Sequence, residues 1–295
     1  MRQLANKFRR IAALSLAGAA FSTLSMASDV AETPAGRALQ GNMTIDLYFG
    51  GFNVGALNLA TTLDGTSYAM KSEMGTRGLL SAFVDGFARL EANGEIRDGG
   101  LKPVYYRAAS GTGDEVKRDS QVHFTEGSPA KVVAVPAYKD DDRPPVPLEE
   151  QVGTVDPLSA ALFSATFADG ENVCAGTIKI FDGRRRYNLH LSYVGEEVLT
   201  TRHQERYSGP AARCEVVFEQ LKGFQPDGAG PRKRKSYDPA TVWIARFGAP
   251  DGGADVLMPV KVVADTSWGA AVAHGSNIKI KQLAATQQTA NIDHK

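Results

Sequence analysis

From residue 43 onward the chain alternates apolar and polar residues with period two, in many short runs. Met43, Ile45, Leu47 and Phe49 alternate with Thr44, Asp46 and Tyr48. After "GGFNVG", the residues Leu57, Leu59, Thr61 and Leu63 continue the pattern, and "DG" at 64–65 turns the chain. Tyr68, Met70 and Ser72 follow; Ala88, Leu90, Ala92 and Ile96 then stand opposite Arg89, Glu91, Asn93 and Glu95. This period places successive side chains on opposite faces of a strand, so each run reads as a half-buried strand. Further strands read at "KPVYYRAAS", "EVKRDSQVHF", "KVVAVPAY", "GTIKIF", "RYNLHLSYV", "EVLTTRHQERY", "CEVVFEQL", "TVWIARFG" and "VLMPVKVVA". Turn signals recurring at intervals of about ten residues predict a mainly β protein, an antiparallel barrel or sandwich.

Two segments break the alternation. "GLLSAFVDGF", residues 78–87, is apolar throughout and reads as a short helix or a flap across the sheet. "VDPLSAALFSATFADG" reads as a helix: Asp156 caps it, Pro157 fits its first position and Gly170 suits its end. Its apolar residues cover most of its circumference, which predicts burial against the concave side of the sheet or in the mouth of a barrel. The Pro-rich, charged stretch 138–153 reads as a long loop joining two β lobes of one domain, residues 41–283, and the tail 284–295 reads as disordered.

The N-terminus sets the compartment. Arg2, Lys7, Arg9 and Arg10 precede an apolar run from Ile11 to Leu24, and "SMA" follows. That is the pattern of a secretory signal peptide, residues 1–27, followed by a linker over 28–40. The run is too short to span a bilayer comfortably, so no transmembrane segment is expected in the mature chain. A periplasmic location is predicted. Lys plus Arg equals Asp plus Glu at 33 each, which argues against nucleic acid as a partner.

The two cysteines, Cys174 and Cys214, have neither redox nor zinc-ligand spacing. A structural disulfide is the natural reading in an exported protein, and two free buried thiols are the alternative. The bridge carries a condition. Four regular strands between the cysteines would leave them at opposite ends of the sheet, beyond the ~7 Å that bridged Cα atoms allow. The meander must therefore be broken between Tyr193 and Cys214. "FDGRRRY" reads as a hairpin tip with Arg184, Arg185 and Arg186 in water; with Arg232, Lys233, Arg234 and Lys235 they are candidate anion contacts. None of the five histidines stands in a metal or catalytic motif; His190 and His203 read as satisfied side chains on neighbouring strands. No nucleophile elbow is present. No cofactor, metal or catalytic residue is predicted.

"GLLSAFVDGF", "GEIRDGGLKPVYYR", "VDPLSAAL", "FDGRRRY" with its flanking cysteines and "RCEVVFEQL" occur in an order that resembles the exported bacterial proteins of the domain of unknown function 3108 family, over roughly residues 42–265. More loosely, the chain is similar to periplasmic β-spiral envelope-integrity proteins and lipoprotein-carrier half-barrels. The resemblance implies an open barrel or β-spiral holding a helix on its concave side, and no activity. It favours a non-enzymatic envelope protein binding a lipid, a lipoprotein segment or another envelope partner. Candidate lining residues, taken from the inward faces, are Leu57, Leu59, Phe87, Leu90, Tyr106, Phe163, Phe167, Tyr187, Leu189, Leu191 and Trp243. Two alternatives stand beside this: docking on anionic lipid or cell wall through the basic loops, and an unrecognised hydrolase.

Overall fold

In a computed structural model, residues 38–82, 85–97, 100–138, 143–166, 173–174, 176–224, 238–248, 256–266 and 269–283 are described. The predicted signal peptide and tail, the side chain of Phe163, all of Phe167, and Arg232, Lys233, Arg234 and Lys235 lie outside that description.

The alternating runs become antiparallel strands of one sheet. A first meander comprises β1 (Ala38–Phe49), β2 (Phe52–Asp64), β3 (Ser67–Thr76), β4 (Gly86–Arg97), β5 (Gly100–Thr112), β6 (Glu115–Thr125) and β7 (Ser128–Val135). A second comprises β8 (Gly176–Phe181), β9 (Arg186–Leu199), β10 (Gly209–Lys222), β11 (Ala240–Phe247), β12 (Val256–Thr266) and β13 (Gly269–Leu283). The spatial order is β7-β6-β5-β4-β3-β2-β1-β13-β12-β11-β10-β9-β8. The two meanders thus join where the first strand lies beside the last. Between β7 and β8 run the single-turn helix α1 (Leu148–Gln151) and the helix α2 (Pro157–Thr166). Within "GLLSAFVDGF" a 3-10 helix, Gly78–Ala82, leads into β4.

The strand that sequence pattern misses is β13. Its first half, "GAAVAHG", offers alanine and glycine where a half-buried strand normally alternates large apolar and polar residues. Pairing on both sides holds it instead. Leu47 stands opposite Ala273 on β13, and Ala273 stands opposite Val262 on β12.

The sheet is open, since no ladder joins β7 to β8. Its curvature nonetheless brings the β8–β9 turn onto β6. Gly183, at φ +87°, has its α-carbon so close to β6 that a Cβ there would lie 3.1 Å from Ser120 Cβ. Asp182 Oδ1 accepts from the backbone N–H groups of Arg184 and Arg185, which fixes the turn. Tyr138 donates its hydroxyl to Gly183 O. The residues before α2 occupy the seam itself: Val155 pairs with Ile180 on the free edge of β8, and Gly153 N donates to Ser128 Oγ on β7.

This arrangement corrects the expectation for "FDGRRRY". Arg184 and Arg186 are only 6% and 5% exposed. Arg184 Nε donates to Ser120 Oγ, and its other nitrogen reaches Pro136 O. Arg186 donates to Glu150 O, Tyr187 O and Asn188 Oδ1. Arg185 is half exposed and paired to Asp182 at 2.7 Å. The motif looked like a solvated tip because a "DG" turn is followed by three arginines; tertiary curvature, invisible to a local pattern, turns it inward.

Cys174 and Cys214 are bonded, with Cα atoms 5.9 Å apart. The meander between them is broken by one strand fewer than expected. "RYNLHLSYV" and the start of "EVLTTRHQERY" form the single long strand β9, and residues 200–208 are irregular. Gly176 and Val216 both pair with Leu191, so β8 and β10 run the same way and the cysteines, two positions before each, are level. His203 accordingly lies in the irregular segment, not on a strand.

Candidate ligand cleft

The interior is organised around α2. Asp156 caps it through Oδ1, which accepts from Leu158 N and Ser159 N at 3.0 Å each. Ser159 in turn shares a 2.6 Å hydrogen bond with Tyr68 Oη on β3. Leu158 and Leu162 pack against Tyr68, Met70, Ala92, Tyr106 and Val122 of the first meander. Ala160 packs against Ile178 and Ile180 of the second. The helix therefore fills the concave side and bridges both halves. Burial pushes the Asp156 carboxyl up to about 6, against the lowering effect of its hydrogen bonds from Ser159 and Leu158.

Beside α2 the sheet splits. Strand β12 pairs with β13 only from Lys261 to Thr266. Its earlier residues pair with β11 alone, from Val256 opposite Phe247 to Pro259 opposite Ile244. Beyond His274, β13 takes other partners on that side: Tyr207 N donates to Gly275 O, and Asn277 N to Glu205 O. At Gly275 the two strands are still close: a Cβ there would lie 3.2 Å from Val260 O.

The split leaves an apolar cleft of about 60 Å³. Leu39 and Met43 of β1, Leu59 and Leu63 of β2, Met70 of β3, Ala161 and Leu162 of α2, Leu257 and Met258 of β12 and Ile280 of β13 line it. Among the described residues Thr61 is the one polar residue of its lining, and none of the lining carries a charge.

The expected lining residues divide. Leu59 lines the cleft. Leu57 lies on the same face of β2, two residues nearer the other end of the strand. Leu90 and Tyr106 belong to the packed core beside α2. Tyr187, Leu189 and Leu191 face inward against Ile178, Ile180 and Ala160. Two expectations are corrected. Phe87 shares the parity of Arg89, whose guanidinium stacks 4.7 Å from its ring, so it faces outward. Trp243 also lies on the outer wall, where its Nε1 donates to Glu197 and Lys261 sits 4.2 Å from the ring. There Leu199, Ala211, Ala245 and Val260 surround it as a second, external core. Leu59 is the one cleft residue that was expected; Met43, Leu63, Met70, Ala161 and Leu162 were not singled out, and Leu39, Leu257, Met258 and Ile280 are gathered by a split in the sheet that has no local signature. His190 stands outside as well, with Nδ1 2.8 Å from Thr177 Oγ1 and Nε2 3.0 Å from Glu219 Oε2.

A family model described as protein of unknown function (DUF3108) matches residues 44–275, from within β1 to within β13. The chain belongs to the DUF3108 family. The match takes in every strand of the sheet at least in part, together with α2 and both cysteines. No curated protein matches this DUF3108 chain. It is similar to a β-barrel-like protein of the domain of unknown function DUF1849 from Brucella abortus, with 9% identity, a TM-score of 0.45 and coverage of 83% of this chain and 98% of that one. A domain assigned to outer membrane lipoprotein sorting from Vibrio parahaemolyticus aligns over 87% of this chain and 91% of its own, with 10% identity and a TM-score of 0.15.

Proposed function

We propose that this DUF3108 protein is an exported, non-enzymatic protein of the bacterial cell envelope, whose cleft between α2 and the split of β12 from β13 takes the apolar part of an amphipathic ligand. The observation that carries this reading is the lining: twelve apolar side chains, with no charge among the described lining residues, at a place where a strand departs from its neighbour. Apolar surface left uncovered there is stabilised by an acyl chain at about 25 cal/mol per Å². The present volume admits only the end of such a chain, so the rest lies along the split or α2 shifts. The signal-peptide pattern at the N-terminus supports export. The docking alternative loses the support of Arg184, Arg185 and Arg186, which are engaged internally.

The test is native mass spectrometry of protein purified from the periplasm, with solvent extraction of any bound lipid, and displacement of a fluorescent fatty acid. The wild type is expected to bind and Ala161→Phe, which fills the cleft from the helix, to lose binding while remaining folded. Equal binding by both proteins, or none by the wild type, overturns the proposal.

A further inference from the structure

At the end of β1 opposite the cleft, the chain turns through "FGGF". Gly50 and Gly51 both have positive φ, +54° and +86°, which makes a tight two-residue hairpin. Phe49 and Phe52 pair across it and are 40% and 67% exposed. Two adjacent aromatic rings in water at a hairpin tip differ from the scattered apolar residues every surface carries. Behind them the outer wall holds Tyr48, whose hydroxyl accepts from Arg206 at 2.6 Å. On the same wall Lys261 stands opposite His274, and His274 opposite Asp46. Arg77, more than half exposed, donates its backbone N–H to Val54 O beside the hairpin and lies 3.9 Å from Asp46. Of these cations Arg77 lies beside Asp46, Arg206 lies over the Tyr48 ring and Lys261 over the Trp243 ring. Burial and the nearby Arg206 and Lys261 hold the His274 imidazole below its ordinary value.

We infer that this hairpin is a membrane anchor: Phe49 and Phe52 enter the interface of an anionic phospholipid bilayer while Arg77, Arg206 and Lys261 face its headgroup phosphates. The order apolar tip, tyrosine, cations is that of a bilayer interface read from its hydrocarbon boundary outward. The exposed part of the two rings amounts to about 200 Å², far below the roughly 800 Å² per partner of a stable protein complex. A bilayer, in contrast, accepts a small convex apolar tip and adds charge attraction. The inference is independent of the cleft, since Phe49 lies about 20 Å along β1 from Met43, the nearest lining residue on that strand, at the strand's rise per residue.

Co-sedimentation with vesicles tests it, using phosphatidylcholine alone and phosphatidylcholine with phosphatidylglycerol. The wild type is expected to bind the anionic vesicles and to release them in high salt. The double variant Phe49→Ser, Phe52→Ser is expected to bind at least about tenfold more weakly, with its melting temperature checked. Arg77→Gln with Lys261→Gln is expected to lose roughly tenfold on anionic vesicles only. Phe52→Trp is expected to show a blue-shifted emission on binding. Failure of the wild type to bind, undiminished binding by the serine variant, or a self-association that the serine variant abolishes would each overturn the anchor. Equal binding of the wild type to neutral vesicles would overturn the headgroup contact.

Discussion

Arg184 Nε donates to Ser120 Oγ at 3.2 Å, linking the β8–β9 turn to β6, 64 residues earlier in the chain. No ladder joins the sheet's two free edges, so this contact and its neighbours hold the seam together. Arg184→Ser is expected to destabilise the fold by about 1–3 kcal/mol, the cost of leaving buried acceptors unpaired. The half-exposed Arg185→Ser is expected to cost under about 1 kcal/mol. Urea denaturation of the two variants checks the order.

The disulfide closes a loop over a sequence separation of 40. On the chain-entropy account such a closure stabilises by about 4 kcal/mol. Replacing both cysteines with alanine is expected to lower the melting temperature, and peptide mapping without reductant to recover the two cysteine peptides joined.

Asp156 links stability to pH. Its folded value of about 6 lies above the ordinary 3.8, so the folded state binds this proton more tightly than the unfolded state. Its contribution is fully present below 3.8 and is lost as pH rises through 6. Asp156→Asn keeps a capping oxygen and removes the titration. Relative to wild type, the variant is therefore expected to gain stability between pH 4 and pH 7, as urea titrations at the two values would show.

Gly94 makes room for the Tyr68 ring that anchors α2. A Cβ there would lie 2.6 Å from Tyr68 Oη and would also meet Lys102 O. Gly94→Ala is expected to destabilise by roughly 1–3 kcal/mol through overpacking. Tyr68→Phe, which removes only the hydroxyl facing Ser159, is expected to cost about 1 kcal/mol. Thermal melts of the two variants separate displacement of the ring from loss of its hydrogen bond.

The period-two runs carried the strands and their faces well, because Met70, Ala92 and Val122 bury for the reason that makes them alternate. The same parity places Phe87 outward with Arg89, so that residue was legible and misassigned. Asp156 and Pro157 announced α2 through cap chemistry, which is local. What could not be read depends on shape. Trp243 lies outside because residues 200–208 fold over the outer wall and supply a second core there, with Tyr207 packed against it. Arg184 and Arg186 at the β8–β9 turn are buried because a sheet of thirteen strands curls far enough to meet itself. The cleft lies where β12 leaves β13 and pairs with β11 alone, a matter of long-range pairing that no local pattern carries.

The pairing of Ala38 with Leu283 sets a timetable for folding. A chain emerging from a ribosome can zip β1 to β7 in order, each strand onto the last. It cannot cover the outer edge of β1 until β13 has come out, and α2 waits for β12 to pack against its far side. Such late, long-range closure slows folding relative to local pairing. Until the last strand arrives, the first meander carries an uncovered edge along the whole of β1.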